Sequence, residues 1–228
     1  DRSSTTLTIS DLFVIAEQLG CVWKLEKLCR NKALKAAVAK PEKVKLFLNV
    51  DGNIIQDKAF IQGFTNRKAM KAGVPASDIV FEITERSDIE NYQILQQIMK
   101  HYADQGYEIA LDDVGAGHSG LNRVVNTTPD YLKADIELVR DIHKYKKKEI
   151  MMKLLLDYCN ATGALLIAEG IETAQELECL HSLGVHYGQG FFLGKPERAF
   201  GNVSDEAAEI LERLNGKENI LSLDAQSF

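Results

Sequence analysis

A chain of 228 residues, 45% hydrophobic and 26% charged, carries enough apolar mass for one large core or two small ones, and its net charge of -6 argues against a DNA or RNA surface. No apolar run reaches the roughly 20 residues that a bilayer-crossing helix needs, and the opening Asp1-Arg2-Ser3-Ser4-Thr5-Thr6 has no stretch of signal-peptide type, so a cytoplasmic protein is expected. Cys21, Cys29, Cys159 and Cys179 show no CxxC spacing and read as buried fillers in a reducing compartment.

In chain order, Ser10 stands where it would cap a first helix over Asp11-Leu12-Phe13-Val14-Ile15-Ala16-Glu17, and a second amphipathic stretch runs from about Trp23 to Val38. Pro41 separates these from Leu46-Phe47-Leu48-Asn49-Val50, a short apolar run that reads as a buried strand. Strand-like runs recur at Ile79 to Ile83, Glu108 to Leu111, Tyr131 to Lys133, Leu165 to Ala168 and Gly190 to Leu193. Between them, Ser87 with Glu90 forms a capping box ahead of Tyr92 to Tyr102, and Thr173 with Glu176 forms another ahead of Leu177 to Leu183. Gly106, Gly163 and Gly184 fall where a helix should stop before the next strand. The basic run Lys144-Tyr145-Lys146-Lys147-Lys148 reads as a solvated loop or helix face, and a last helix is expected from Asp205 to Leu214. Strands alternating with helices imply parallel pairing with crossover helices. Six strands suit an open doubly wound sheet as well as part of a barrel, which needs eight.

Nearly every strand-like run carries a carboxylate, amide or lysine at or near its C-terminal end. Asn49 lies near the end of the first, and Glu82 with Glu85 ends the second. Asp112 and Asp113 close the third, Lys133 and Asp135 the fourth, Glu169 and Glu172 the fifth, and Gln189 begins the sixth. In parallel α/β barrels the C-terminal ends of the strands form one mouth, where side chains from separate strands assemble a site. Oxygen donors gathered there suit Mg²⁺ or Mn²⁺, and adjacent acids such as Asp112 and Asp113 allow one carboxylate to bridge two ions.

Each residue alone also has a structural reading: Asp112 and Asp113 as helix caps, Asn49 and Glu169 as turn residues, Lys133 in an ion pair. Glu82, inside an apolar run, resists one, because a buried carboxylate needs a partner or a metal. The glycine-rich loop from Asp113 to Gly120 lacks the Walker lysine and the Rossmann spacing and reads as a strand-to-helix turn. His118 in that loop, and His101, His143, His181 and His186, have no partners at ligand spacing and read as structural.

The runs Phe47-Leu48-Asn49-Val50, Phe81-Glu82-Ile83-Thr84-Glu85, Leu111-Asp112-Asp113-Val114-Gly115-Ala116-Gly117, Leu132-Lys133-Ala134-Asp135, Ala168-Glu169-Gly170-Ile171-Glu172-Thr173 and Gly188-Gln189-Gly190 resemble, in order, the motifs of EAL-domain cyclic di-GMP phosphodiesterases. The resemblance spans about Ser10 to Pro196 and is specific as a set. It implies a TIM-like (β/α) barrel that opens cyclic di-GMP to linear pGpG with Mg²⁺ or Mn²⁺, with two ions at the site. It further implies Asn49, Glu82, Asp112 and Asp113 as metal ligands, Glu169 as ligand or base, and Lys133 as the group that positions or activates the attacking water. Glu85, Asp135, Glu172 and Gln189 take supporting places. Cyclic di-GMP, a second copy of the chain in a homodimer, and fused signalling domains are the partners implied.

The sequence departs from that pattern in three places. It contains no match to the Glu-Ala-Leu motif, which lies in the family on a strand upstream of everything here. The barrel is therefore expected to lack its first strands, one metal ligand and, in the chain as given, activity without the upstream segment. Val114 stands where the family usually has Phe, and Ala134 where it usually has Ile. The expected organisation is a barrel domain over residues 1–200 and a helical extension over 201–228. Two other readings stay open: a receptor that holds cyclic di-GMP without cleaving it, and an enolase-like barrel acting on a carboxylate substrate.

Overall fold

Six short segments rich in branched side chains become one sheet, and the helices between them become its cover. The computed structural model describes residues 8–84, 92–115, 120–197 and 200–216. Its elements run α1 (Ile9–Gln18), α2 (Val22–Ala36), β1 (Leu46–Asp51), α3 (Phe64–Ala72), β2 (Ile79–Thr84), α4 (Tyr92–Ala103), β3 (Glu108–Val114), α5 (Gly120–Asn126), β4 (Tyr131–Ala134), α6 (Ile136–Val139), α7 (Lys146–Thr162), β5 (Leu165–Ala168), α8 (Ala174–Leu183), β6 (Tyr187–Gly188) and α9 (Asp205–Asn215). The strands lie in the order β1-β2-β3-β4-β5-β6, all parallel, so each connection is a crossover. This is the α/β arrangement of a TIM-like barrel with six of its eight strands. Among the described residues β1 pairs only with β2, and β6 only with β5.

The first five strands fall where the apolar runs predict them, with β3 running on to Val114. The sixth is a correction. The strand is Tyr187–Gly188, and Gln189 follows it instead of opening it. The run predicted from Gly190 to Leu193 closes a turn, because the Gly190 carbonyl accepts the N–H groups of Leu193 at 3.1 Å and Gly194 at 3.0 Å. The first cap is a second correction: Thr8, not Ser10, caps α1. Its hydroxyl accepts the Asp11 N–H at 3.1 Å while Asp11 accepts the Thr8 N–H at 2.8 Å, a capping box with aspartate in the glutamate's place. The Thr173 and Glu176 box forms as expected, and Gly163 and Gly184 end α7 and α8 in the left-handed conformation that glycine adopts freely. The box of Ser87 and Glu90 lies outside the described residues. Of the cysteines only Cys159 is fully buried, and Cys29 is exposed, contrary to the filler reading. The basic run is occupied locally: Lys144 pairs with Asp141, Lys146 with Glu149, and Lys148 donates to the Glu137 and Arg140 carbonyls that end α6. No described helix is long and apolar enough to cross a membrane.

Alternation along each strand divides the sheet into two faces. One carries Leu48, Phe81, Leu111, Leu132 and Leu166 into the large core shared with the helices, to which α9 adds the buried Ala207. The other carries a small apolar floor of Val80, Ala110, Tyr131 and Ile167, with Phe47 and Tyr187 against it. Neighbouring strands stand about 4.8 Å apart, so β1 and β4 would lie about 14 Å apart in a flat sheet. The rings of Phe47 on β1 and Tyr131 on β4 instead meet at 5.6 Å between centroids. The sheet is curled, and this face is concave. Beneath the floor, Glu108 accepts the Tyr131 hydroxyl at 2.9 Å and pairs with Lys45 at 2.6 Å, which keeps the aromatic ring upright.

On the convex side a buried ion pair ties the first layers together. Glu26 and Arg30 on α2 are each 2% exposed. Glu26 pairs with Arg30 and accepts the Asp51 N–H at 2.7 Å, at the end of β1. Arg30 donates to Thr65 on α3 and Tyr102 on α4, both at 3.1 Å, and its guanidinium lies over the Phe81 ring of β2. Removing one member strands a buried charge. Glu26→Ala is therefore expected to lower unfolding free energy by roughly 3–5 kcal/mol in urea titration. Adding Arg30→Met should return much of the loss. An alanine variant as stable as the parent would show that the pair holds nothing.

Candidate active site and metal centre

The polar side chains at the strand ends sit one layer above the apolar floor, on the same concave face. Asn49 and Glu82 are register partners on β1 and β2. Two strands away, Lys133 rises from β4 and is 3% exposed. Its Nζ lies 2.7 Å from Glu82, 2.9 Å from Asp112 and 2.6 Å from Glu169. Carboxylates from β2, from β3 and from the residue after β5 thus converge on one ammonium. The curl of the sheet makes this reach possible, since a lysine in a flat sheet would not meet partners two strands away and one strand away on the other side.

Asp112 and Asp113 pose a geometric question, because consecutive strand residues point to opposite faces. The register between β3 and β4 shifts between Leu111 and Val114, and Asp113 has φ +56°. Aspartate tolerates that left-handed backbone better than most residues. The bulge gathers both carboxylates on the concave side: Asp112, Asp113 and Glu169 each present an oxygen, all within 4.8 Å of one another. Ligands on opposite sides of a Mg²⁺ ion stand about 4.2 Å apart, twice its usual metal–oxygen distance. Oxygens gathered within 4.8 Å of one another are close enough to share one such ion. Hard oxygen donors at that spacing fit Mg²⁺ or Mn²⁺.

Burial and charge set the protonation of the group. Burial works against the Lys133 ammonium, but Glu82, Asp112 and Glu169 outweigh it and hold its pKa well above the ordinary lysine range. Lys133 is a fixed cation here. Burial lifts Glu82 above the usual carboxylate range despite Lys133. Burial likewise pushes Glu169 up to about 7, opposed by Lys133 and reinforced by the neighbouring Asp112 and Glu82. A carboxyl with that value exchanges its proton near neutrality, as a general base must.

The remaining expected residues divide. Asn49 belongs to the concave face but is exposed. Asp135 is a cap: it accepts the Glu137 N–H at 2.7 Å to start α6. The Glu172 side chain reaches out toward Arg140 at 3.9 Å. Gln189 contributes main chain, donating to Ala168 at 2.8 Å and accepting from Ile171 at 3.0 Å. Glu85 and His118 lie outside the described residues. Sequence reasoning missed the two glycines that hold the segment after β5. A Cβ on Gly170, at φ +70°, would lie 2.3 Å from Ile136, and one on Gly190 would lie 2.2 Å from the Ile171 main chain. Both occur within the quoted motifs, so the signal was present as composition without its geometry.

Residues 2–196 match the EAL domain family. The cyclic di-GMP phosphodiesterase PdeA of Borreliella burgdorferi is 25% identical over 200 residues, covering 86% of this chain and 30% of that protein. The cyclic di-GMP phosphodiesterase PdeR of Escherichia coli is 33% identical over 115 residues, covering 50% of this chain and 17% of its own length. The manganese and cyclic di-GMP complex of BlrP1 from Klebsiella pneumoniae has a TM-score of 0.78 at 28% identity, covering 89% of this chain and 52% of that one. A cyclic di-GMP-bound standalone EAL protein from Vibrio cholerae has a TM-score of 0.74 at 26% identity, covering 86% and 84% of the two chains. The chain spans less than a third of the length of these two phosphodiesterases.

The raised carboxyl has a consequence for stability without metal. Its folded value of about 7 exceeds the ordinary 4.5, so between those values the folded state binds more protons than the unfolded state. Stability must then fall as pH rises through that interval. Thermal melts in chelator should show a falling melting temperature from about pH 4.5 to about pH 7, and Glu169→Gln should flatten the fall. Glu82, raised in the same direction, supplies the part that remains. A slope unchanged in the glutamine variant would remove Glu169 as its source.

Proposed function

This chain belongs to the EAL domain family, and on that premise we propose that it is a metal-dependent phosphodiesterase that opens cyclic di-GMP to linear pGpG. The observation that carries the reading is the meeting of Glu82, Asp112 and Glu169 around Lys133 with Asp113 beside them. Relatives bearing phosphodiesterase names and similar structures holding cyclic di-GMP with manganese support it. Asn49, Glu82, Asp112, Asp113 and Glu169 are the residues that would hold Mg²⁺ or Mn²⁺. Such ions, when bound, neutralise charge developing on the phosphoryl oxygens and acidify an attacking water.

The chain's own residues then perform two tasks. Glu169 takes a proton from the water whose oxygen bonds to phosphorus, as a positioned carboxylate base. The P–O3′ bond breaks, the 3′ oxygen leaves and takes a proton from solvent, and the phosphate stays on the 5′ side, which gives the linear product. Lys133 remains an ammonium throughout and holds Glu169 and Asp112 at 2.6 and 2.9 Å, so the base meets the water at a set distance. The apolar floor, in which the rings of Phe47 and Tyr131 meet at 5.6 Å, lies beneath the charged layer.

The test is cleavage of cyclic di-GMP by the full-length protein with Mg²⁺ or Mn²⁺, with nucleotides separated by anion exchange. Glu169→Gln should lower kcat by about a hundred- to ten-thousand-fold, the usual contribution of a positioned base. Tight binding in chelator without turnover in either ion would make the chain a receptor. No binding of the dinucleotide at all would overturn the assignment.

A further inference from the structure

Glu176, like Glu26, is a buried carboxylate that the reaction does not use. It is 2% exposed and opens α8, where its sequence position makes it the second half of a capping box. A capping glutamate has one main-chain partner, the N-cap N–H. Glu176 has three. Its Oε2 accepts the N–H groups of Thr173 at 3.0 Å and Glu172 at 2.9 Å, and its Oε1 accepts the Asp141 N–H at 2.8 Å. The last partner comes from another part of the chain, just after α6, where Asp141 holds φ +58°. Burial opposes the charge on Glu176, but these main-chain donors outweigh it and keep the carboxyl below its ordinary value.

The two segments that Glu176 joins are those that carry the charged layer. One leaves β4 after Lys133 and runs through Asp135 and α6 to Asp141. The other leaves β5 and runs from Glu169 through Gly170 to Thr173. They touch at three levels. Lys133 meets Glu169 at 2.6 Å, and the Glu169 N–H donates to the Ala134 carbonyl at 3.0 Å. In the middle, Ile136 occupies the space that a Cβ on Gly170 would need. At the far end, one carboxylate bonds both segments. A loop pinned at the far end cannot pivot about its near end, so loss of the far pin lets Glu169 swing away from Lys133 and Asp112.

We infer that Glu176 is a positioning residue, whose carboxylate sets the spacing between the segments after β4 and β5 and thereby holds Glu169 in the charged layer. This rests on the phosphodiesterase reading for its catalytic consequence, and on the contacts alone for its structural one.

Three variants of the full-length protein decide it. Glu176→Gln keeps the shape but presents an amide to main-chain N–H groups. Glu176→Ala removes all three acceptors. Thr173→Ala removes the other half of the capping box and leaves the Asp141 bond in place. Outer partners of ligating groups typically change metal affinity or activity 10–100-fold, so Glu176→Gln should weaken Mn²⁺ binding, titrated by electron paramagnetic resonance, by about ten-fold. Its kcat should fall by a similar factor, with KM for cyclic di-GMP within about two-fold. Amide exchange at Asp141, Glu172 and Thr173 should accelerate. Thr173→Ala should melt earlier yet keep the parent's Mn²⁺ affinity and kcat. Parental affinity and kcat in Glu176→Gln would overturn the inference, as would equal losses in Thr173→Ala, which would make the helix start and not the clamp responsible. Should Glu176→Ala not fold, the glutamine variant decides. A parent that binds no Mn²⁺ would sink the phosphodiesterase reading, and unchanged exchange at Asp141 in Glu176→Gln would then sink the clamp separately.

Discussion

One ammonium among three carboxylates governs the architecture of the concave face. A buried charge is tolerated only with a partner, and Lys133 has Glu82, Asp112 and Glu169 within 2.9 Å. The partners come from β2, β3 and the end of β5, so the lysine on β4 reaches past its neighbours to β2, with which β4 shares no direct pairing. Side chains can meet across that span only if the sheet is curled, and the contact between Phe47 and Tyr131 one layer below shows the same curvature. The ammonium answers one of the three negative charges. Burial raises the carboxyl values of Glu82 and Glu169, Lys133 opposes the rise, and the neighbouring acids add to it.

Sequence reasoning recovered most of this because two periodicities coincide. Side chains two residues apart share a strand face. A polar residue ending an apolar run in a parallel sheet therefore stands above the core residue two places before it. Glu82 stands above Val80, Lys133 above Tyr131 and Glu169 above Ile167, and each lower residue belongs to the apolar floor. What escaped was whatever breaks the period. Asp113 reaches the site through a bulge and a left-handed backbone, and nothing in the order of residues announces either. Gly190 to Leu193 has the composition of a strand, yet the Phe192 N–H donates to the Ile171 carbonyl at 3.0 Å and the Gly190 carbonyl closes the run into a turn.

The caps illustrate a related limit. Thr8 and Ser10 both qualify by residue type as the start of α1, and the choice rests on which of them has an acid three places ahead. That residue is Asp11, and it serves Thr8. With Glu176 the local reading was right and incomplete. The capping box forms, but its carboxylate also reaches Asp141, 35 residues away in sequence, and only the fold brings that N–H within range. Local pattern assigns a residue its near partners; its distant partners depend on topology.

Two overlapping sets of acids organise the site. Glu82, Asp112 and Glu169 surround Lys133, while Asp112, Asp113 and Glu169 are grouped for an ion. Asp112 and Glu169 belong to both sets. An ion held by the second set would therefore draw on two of the lysine's three partners. Glu82 lies within a strand and is nearly enclosed, so β2 itself fixes its place. Glu169 lies just past the end of β5, on a segment whose shape depends on Gly170, Gln189 and Glu176. The two carboxylates meet the same ammonium from different backbones, one from within a strand and one from the irregular segment past a strand end.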